Sequence, residues 1–144
     1  MKPSPELVLN QAFAKIAMEM GPALPAGYGQ GSATTTGVVL LLVAQEFNRA
    51  ASVRLSENKT MRELFASKAA SVAGELGDAL KHEAAGRDDD VTVSALEVSN
   101  ARLKKLFIRL HEHVETAADI SLDQRMVLMM QSWAGARQVF LPAM

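Results

Sequence analysis

The apolar residues between positions 93 and 117 recur alternately three and four positions apart, and this spacing constrains the fold more than any other feature of the chain. The series is Val93, Leu96, Asn100, Leu103, Phe107, Leu110, Val114 and Ala117. Such spacing places all of these side chains on one face of an α-helix, in the pattern of a heptad seam. It therefore predicts a long helix that buries one face against its neighbours.

Two more helices are predicted in the first 56 residues, separated by an irregular loop. Ser4-Pro5-Glu6 supplies a hydroxyl N-cap, a proline at the first helical position and an acid in the first turn, so the first helix begins there. It ends at Gly21-Pro22, and the prolines and glycines of residues 22–33 indicate a flexible surface loop. Alternating glycines in this loop could instead cradle a phosphate, although their spacing does not match a dinucleotide-binding fingerprint. The second helix starts within residues 32–36 and runs to about Ser56.

Three capping boxes predict where the remaining helices begin. In this motif a Ser or Thr side chain accepts a hydrogen bond from the third helical amide, and a Glu or Gln reaches back to the amide of the cap. The boxes are Thr60-Met61-Arg62-Glu63, Ser94-Ala95-Leu96-Glu97 and Ser121-Leu122-Asp123-Gln124. Short connections make consecutive helices antiparallel. The predicted fold is therefore all-α: an antiparallel up-and-down helical bundle forming a single domain over residues 1–144, with four long core helices and a packed N-terminal helix.

Composition and charge narrow the classes of protein to which the chain can belong. Of its 144 residues, 49% are hydrophobic and 22% are charged, which is typical of a globular domain rather than a disordered or collagen-like chain. The net charge of −1 argues against a strongly basic nucleic-acid binder. The chain has no cysteine, which excludes a disulfide, a thiol nucleophile and a thiolate metal site.

The beginning of the chain and its longest apolar run predict a cytoplasmic protein. Residues 1–6 lack the charged and apolar regions that a secretory signal needs. The longest near-continuous apolar run, residues 37–44, is far shorter than the roughly 20 residues that span a bilayer. We therefore expect a cytoplasmic location, with neither a membrane nor a nucleic acid as a partner.

Glu46 is the most anomalous residue of the second predicted helix. It shares a stripe with Val39, Leu42, Val43, Ala50 and Val53. A carboxylate on an apolar stripe must be paired, protonated or at the edge of the bundle, and Arg49 can pair with it one turn along the helix. A structural ion pair is the favoured interpretation, and a polar ligand pocket is the alternative. If the pair is buried, Glu46→Ala should lower the free energy of unfolding by about 1–3 kcal/mol.

Asn100 and His111 complete the candidate polar cluster. Asn100 interrupts the apolar seam, where a single buried Asn commonly sets helix register or oligomeric state and less often contacts a ligand. His111 flanks the same seam and shares a helix face with Glu115, but the Glu-x-x-His motif of di-iron bundles is absent. The candidate ligand-binding residues are therefore Glu46, Arg49, Asn100 and His111. No metal and no cofactor are predicted, and no residue can be named as catalytic.

The last predicted helix is apolar on more than one side. One stripe consists of Leu122, Met126, Met129, Trp133, Ala136 and Phe140, while Val127, Leu128 and Met130 lie away from it. A helix of this kind must be covered twice, either within its own bundle or by another subunit. The sequence therefore predicts a homodimer interface on this helix that includes Met126, Met130 and Trp133, with the first helix as a further contributor.

Two functions remain open at this point. The first is a non-catalytic, homo-oligomeric interaction or accessory module, which also leaves room for another protein partner. The second is a bundle, with or without enzymatic activity, that binds a small ligand or a metal at a polar site around Glu46 and Arg49. The first is favoured, because the chain contains no catalytic triad motif, thiol site or phosphate-binding loop that stands out.

Overall fold

The computed structural model describes residues 2–141, and every regular element within them is a helix, which confirms the predicted all-α class. These residues form two compact units. The N-terminal unit consists of residues 2–50 together with 138–141, and the C-terminal unit is Ala51–Arg137. The antiparallel up-and-down arrangement and the single-domain organisation stay predictions.

The N-terminal unit begins with a helix whose geometry changes along its length. Helix α1, Pro5–Phe13, continues as a π-helical segment, Ala14–Met20, and as a short helix α2, Gly21–Ala23. The Ser4 side chain accepts a hydrogen bond from the Leu7 amide at 3.2 Å, so the predicted N-cap is confirmed. Gly21-Pro22 does not end the helix, because Pro22 lies in the first turn of α2, where its missing N–H is tolerated.

Helix α3, Tyr28–Lys68, is 41 residues long. It includes residues that were predicted to form part of a loop and residues that were predicted to begin a separate helix. The glycine-containing segment is not a loop after residue 27, since Gly29 and Gly31 are helical and only Gly27 takes a positive φ. The capping box at Thr60 is also absent. Its hydroxyl donates to the Glu57 carbonyl at 3.0 Å, a back-bond that Thr makes inside helices. Helix α3 contributes residues 28–50 to the N-terminal unit and 51–68 to the C-terminal unit.

The helix predicted to begin at Thr60 is instead the end of α3 followed by helix α4, Gly74–Ala84. A turn separates them, and Gly74 adopts φ 72°, a conformation that favours glycine. The chain also folds back closely on itself here. A Cβ on Gly77 would lie 1.9 Å from the Val72 carbonyl oxygen, so only glycine fits.

Helices α5, Val93–Thr116, and α6, Ile120–Arg137, complete the C-terminal unit. The N-cap of α5 is Thr92 rather than Ser94, and its side chain accepts from the Ala95 amide at 3.4 Å. Asp119 takes the place of Ser121 at the start of α6, where its Oδ1 accepts from the Leu122 amide at 3.1 Å. These two predicted helices therefore exist, but the N-cap of each lies two residues earlier than predicted.

The heptad seam of α5 forms the centre of the hydrophobic core. Its buried members are Leu96, Asn100, Leu103, Phe107, Leu110 and Val114, whereas Val93 and Ala117, at the two ends, are exposed. Met61, Leu64 and Phe65 of α3, Leu80 of α4, and Leu122 and Met126 of α6 complete this core. Helix α5 thus packs as the sequence predicts, except at its ends.

The helices of the N-terminal unit approach each other at small residues. A Cβ on Gly37 would lie 2.6 Å from the Ala17 Cβ, and one on Gly21 would lie 3.4 Å from the Thr34 Oγ1. These contacts run in opposite order along the two helices, so the helices are antiparallel.

Among the helices of residues 2–141, none has both the length and the apolar character needed to cross a bilayer.

Candidate functional site

The C-terminal unit contains a buried carboxylate, Glu57 of α3, whose side chain is 1% exposed. Its Oε1 accepts a hydrogen bond from Arg137 Nε at 2.6 Å. Its Oε2 accepts from Arg137 Nη2 at 2.9 Å and from Asn100 Nδ2 at 2.9 Å, and it lies 2.8 Å from Lys104 Nζ. Residues of α5 and α6 therefore converge on one acid of α3.

These donors keep Glu57 ionised in the folded protein. Burial raises the pKa of its carboxyl, but the hydrogen bonds from Arg137, Lys104 and Asn100 outweigh burial and bring the pKa from 4.5 to about 2. The result is an anion held between two cations, each of which reaches solvent in part.

A second acid, Asp88, extends this polar cluster. Arg62 donates to its two carboxylate oxygens at 2.8 and 3.1 Å, and Ser99 donates at 2.7 Å. Burial raises the pKa of Asp88, and the bonds from Arg62, Ser99 and Asn58 lower it below its ordinary value overall. Asn58 joins the two acids, since it donates to Asp88 at 3.1 Å and accepts from Asn100 at 2.9 Å.

We call these residues the Glu57–Asp88 network: Glu57, Asn58, Arg62, Asp88, Ser99, Asn100, Lys104 and Arg137. A carboxylate offers about four acceptor positions. In Glu57 they face four donor groups, one on Oε1 and three on Oε2, all from side chains of α5 and α6. This arrangement holds α3, α5 and α6 in one register relative to each other. Setting helix register is a known role of buried ion pairs.

One member of this network, Asn100, was predicted from the sequence, and Glu57 was not. Asn100 lies on the seam of α5 as predicted, and it is buried against Glu57 and Asn58. Glu57 was missed because the second helix was predicted to end at Ser56. In a continuous helix, Glu57 is four residues before Met61 and seven before Leu64, so it lies on their apolar stripe.

Glu46 and Arg49 form the predicted pair in the N-terminal unit, and Glu46 lies partly exposed to solvent. Arg49 Nε lies 3.9 Å from Glu46 Oε2, and the Glu46 side chain is 45% exposed. Arg49 also donates to the backbone carbonyl of Gln138 at 2.5 Å, and the side-chain amide of Gln45 pairs with both backbone groups of Phe140. Arg49 thus holds the C-terminal segment against α3.

Exposure lowers what the Glu46–Arg49 pair contributes to stability. Pairs that are open to solvent contribute at most about 1 kcal/mol. The loss of about 1–3 kcal/mol expected for Glu46→Ala depended on burial. That condition is not met, because the Glu46 side chain is 45% exposed, so a smaller loss is expected.

His111 does not join Asn100. The two are eleven residues apart on α5, about 16 Å along the helix axis. His111 Nε2 lies 2.6 Å from Asp123 Oδ1 at the start of α6, and one ligand atom each from His111, Glu115 and Asp123 lie within 4.8 Å of one another. The four predicted ligand-binding residues therefore do not form one cluster: Glu46 and Arg49 lie in the N-terminal unit, and Asn100 and His111 occupy separate sites in the other.

The predicted interface residues of α6 differ in their surroundings. Met126 is fully buried in the core of its own unit, so it has no surface to offer a second chain. Trp133 is half-buried, packs against Phe107 with 5.0 Å between ring centroids and donates to Thr60 Oγ1 at 3.3 Å. Met130 is exposed and lies near the exposed Val127 and Leu128.

No protein family, curated protein or solved structure matches the chain.

Proposed function

We propose that the protein is a homo-oligomeric interaction module whose N-terminal unit pairs with the same unit of a second copy. The observation that carries this proposal is the distribution of side-chain sizes in that unit. Apart from Phe13, its buried residues are all small, namely Ala17, Gly21, Gly37, Ala44 and Ala50. Its exposed residues include large apolar ones, namely Leu7, Val8, Met18, Met20, Val39, Val43 and Phe47.

One stripe of α3 consists of large apolar side chains that are exposed. Val39, Val43 and Phe47 are four residues apart and therefore share a face, and they are 51%, 49% and 58% exposed. Contiguous exposed apolar surface marks interaction sites in proteins, because leaving it in water is unfavourable. A second helix pair laid on this face would remove the stripe from water.

The charge pattern favours a second copy as the occupant. The segment from Met20 to Gln45 contains no Asp, Glu, Lys, Arg or His. In a two-fold interface, each residue near the axis meets its own counterpart, so charged residues there repel each other. The part of α3 up to Gln45 carries no charge, and Glu46, the acid that borders the stripe, lies 3.9 Å from Arg49 of the same helix, so repulsion between like charges across a two-fold axis is small. Two-fold dimers are also the commonest oligomers.

Sedimentation equilibrium over a range of protein concentrations tests the proposal. The wild-type chain should be a dimer, and the double variant Val43→Lys/Phe47→Lys should be monomeric, because each dimer would bury four lysines. Val98→Lys is the matched control, since Val98 is equally apolar and 73% exposed but lies on α5. It should leave the dimer intact.

Two outcomes would contradict the proposal. A wild-type chain that is monomeric at all concentrations would remove self-association altogether. A dimer that survives Val43→Lys/Phe47→Lys but is lost in Leu128→Lys would place the interface on the exposed face of α6, as the apolar pattern of that helix predicts.

A further inference from the structure

We infer that His111, Glu115 and Asp123 form a binding site for one divalent transition-metal ion, with Zn²⁺ as the best match. This site is independent of the proposed self-association, because its three residues belong to the C-terminal unit.

The three side chains come from two helices that a short connection holds together. His111 and Glu115 are one turn apart on α5, which places their Cβ atoms about 5–6 Å apart on one face. Asp123 lies in the first turn of α6, after a connection of only three residues, 117–119. Ligand atoms from the three residues lie within 4.8 Å of one another. This separation is close to what a shared ion requires.

The imidazole is fixed in place before any ion binds. The His111 ring lies 6.4 Å from the buried ring of Phe107, and its side chain is 20% exposed. Its Nε2 is 2.6 Å from Asp123 Oδ1. Two ligand atoms bound to one tetrahedral Zn²⁺ at about 2.0–2.1 Å are roughly 3.3 Å apart. The ion replaces the proton that this nitrogen and this oxygen share, and that proton leaves to solvent. The two atoms then need to separate by less than about 1 Å.

Open space lies beside two of the three ligands, Glu115 and Asp123. A cavity of about 260 Å³ is lined by Glu115 and Asp123 together with residues of the connection between α5 and α6. A site with three protein ligands keeps a further coordination position for water or a ligand. The cavity provides room for that position.

The donor set selects the kind of ion. One imidazole nitrogen and two carboxylates suit Zn²⁺ and other divalent transition metals, whereas Mg²⁺ and Ca²⁺ prefer oxygen ligands alone. With a neutral imidazole, the two negative charges of Glu115 and Asp123 balance the charge of a divalent cation. No sulfur ligand is needed, which agrees with a chain that has no cysteine.

Calorimetric titration of the metal-free protein with ZnCl₂, and separately with MgCl₂, tests this inference. We expect one Zn²⁺ per chain and no comparable binding of Mg²⁺. Glu115→Gln, Asp123→Asn and His111→Gln should each weaken Zn²⁺ binding by more than about tenfold, since even the loss of outer hydrogen-bond partners of metal ligands costs about 10- to 100-fold.

His113→Gln is the matched control, because His113 is an exposed histidine two residues further along α5 and outside the ligand set. It should bind Zn²⁺ as the wild type does. Glu115 is exposed, so Glu115→Gln should keep the fold and decides the result if His111→Gln is unstable. Unchanged binding by Glu115→Gln and Asp123→Asn, a loss in His113→Gln equal to that in His111→Gln, or no Zn²⁺ binding by the wild type would overturn the site.

Discussion

The buried carboxylate of Glu57 is stable only because of the four donor groups around it. Without them, burial would favour its protonated form, and the folded protein would lose a charge that the unfolded chain keeps in water. Glu46 has no such requirement, because nearly half of its side chain meets solvent. Of these two acids, the one that depends on its partners is therefore Glu57, not Glu46, which stands out in the hydropathy pattern.

The lowered pKa of Glu57 predicts how stability depends on pH. Its pKa is about 2 in the folded protein and close to 4.5 when unfolded, so its contribution is complete above about pH 5 and is lost as the pH falls toward 2. A difference of this size corresponds to about 3 kcal/mol. Asp88 contributes in the same direction.

Urea unfolding of Glu57→Gln at pH 7 and pH 3 tests this prediction. At pH 7 we expect a loss of about 3 kcal/mol relative to wild type, and at pH 3 a clearly smaller difference. Glu112→Gln is the control, because Glu112 is exposed on α5 far from the N-terminus of that helix and should leave both values nearly unchanged. An equal loss at the two pH values would show that the amide disturbs packing rather than charge.

At the scale of helices, the sequence predicts which helices form better than it predicts where they begin and end. The seam of α5 was predicted almost completely, because a repeat of three and four residues has few explanations other than a helix with one buried face. The capping boxes at Thr60, Ser94 and Ser121 were misleading, since each motif needs the chain to turn at that residue. At Thr60 it does not turn, and the same hydroxyl bonds to the preceding turn of α3.

The site could be predicted only where it follows from that helical repeat. Asn100 was found because it interrupts the seam, whereas Glu57 was hidden by the wrong end of the second helix. Arg137 and Asp88 could not be found, because their contacts join residues far apart in the chain. The grouping of His111 with Asp123 depends on the turn between α5 and α6, and periodicity says nothing about its geometry.

That turn contains a strained residue with a testable effect. Ala118 has φ 53°, and the amides of Ala118 and Asp119 bond to the carbonyls of Glu115 and Val114 at 3.1 and 3.2 Å. These are the two bonds of a Schellman motif, in which glycine is preferred at the position of Ala118. The side chain of Ala118 therefore strains the end of α5.

We expect Ala118→Gly to raise the free energy of unfolding by about 0.5–1 kcal/mol, because it removes the steric cost of a left-handed alanine. Ala101→Gly is the control, since Ala101 is exposed in the middle of α5 and should instead lower stability by about 1 kcal/mol. Urea unfolding of the two variants gives both values. A loss of stability in both would mean that the strain at Ala118 is already relieved.

At the scale of the whole molecule, the two units bury apolar side chains in different ways. The C-terminal unit has a core of large residues from four helices, including Phe65, Phe107 and Met126. The N-terminal unit has alanine and glycine between its helices and leaves Val39, Val43 and Phe47 in water. Pairing of two N-terminal units would give these side chains the burial that the C-terminal unit already provides within one chain.

Such pairing couples the melting temperature of the protein to its concentration. A dimer that dissociates as it unfolds gains stability by mass action, at about 1.4 kcal/mol per dimer for each tenfold increase in concentration. For two chains of 144 residues this raises the melting temperature by about 2 °C. The apolar character of the stripe also predicts that added NaCl does not weaken the pairing, because only interactions between charges are screened by salt.

Differential scanning calorimetry at protein concentrations a hundredfold apart checks both expectations, first in low salt and then in about 0.5 M NaCl. The wild-type chain should melt about 4 °C higher at the higher concentration in either buffer. The variant Val43→Lys/Phe47→Lys should melt at one temperature regardless of concentration, and Val98→Lys should behave as wild type. A concentration dependence that disappears in NaCl would mean that charged residues hold the copies together, and the exposed stripe of α3 would then lie outside the interface.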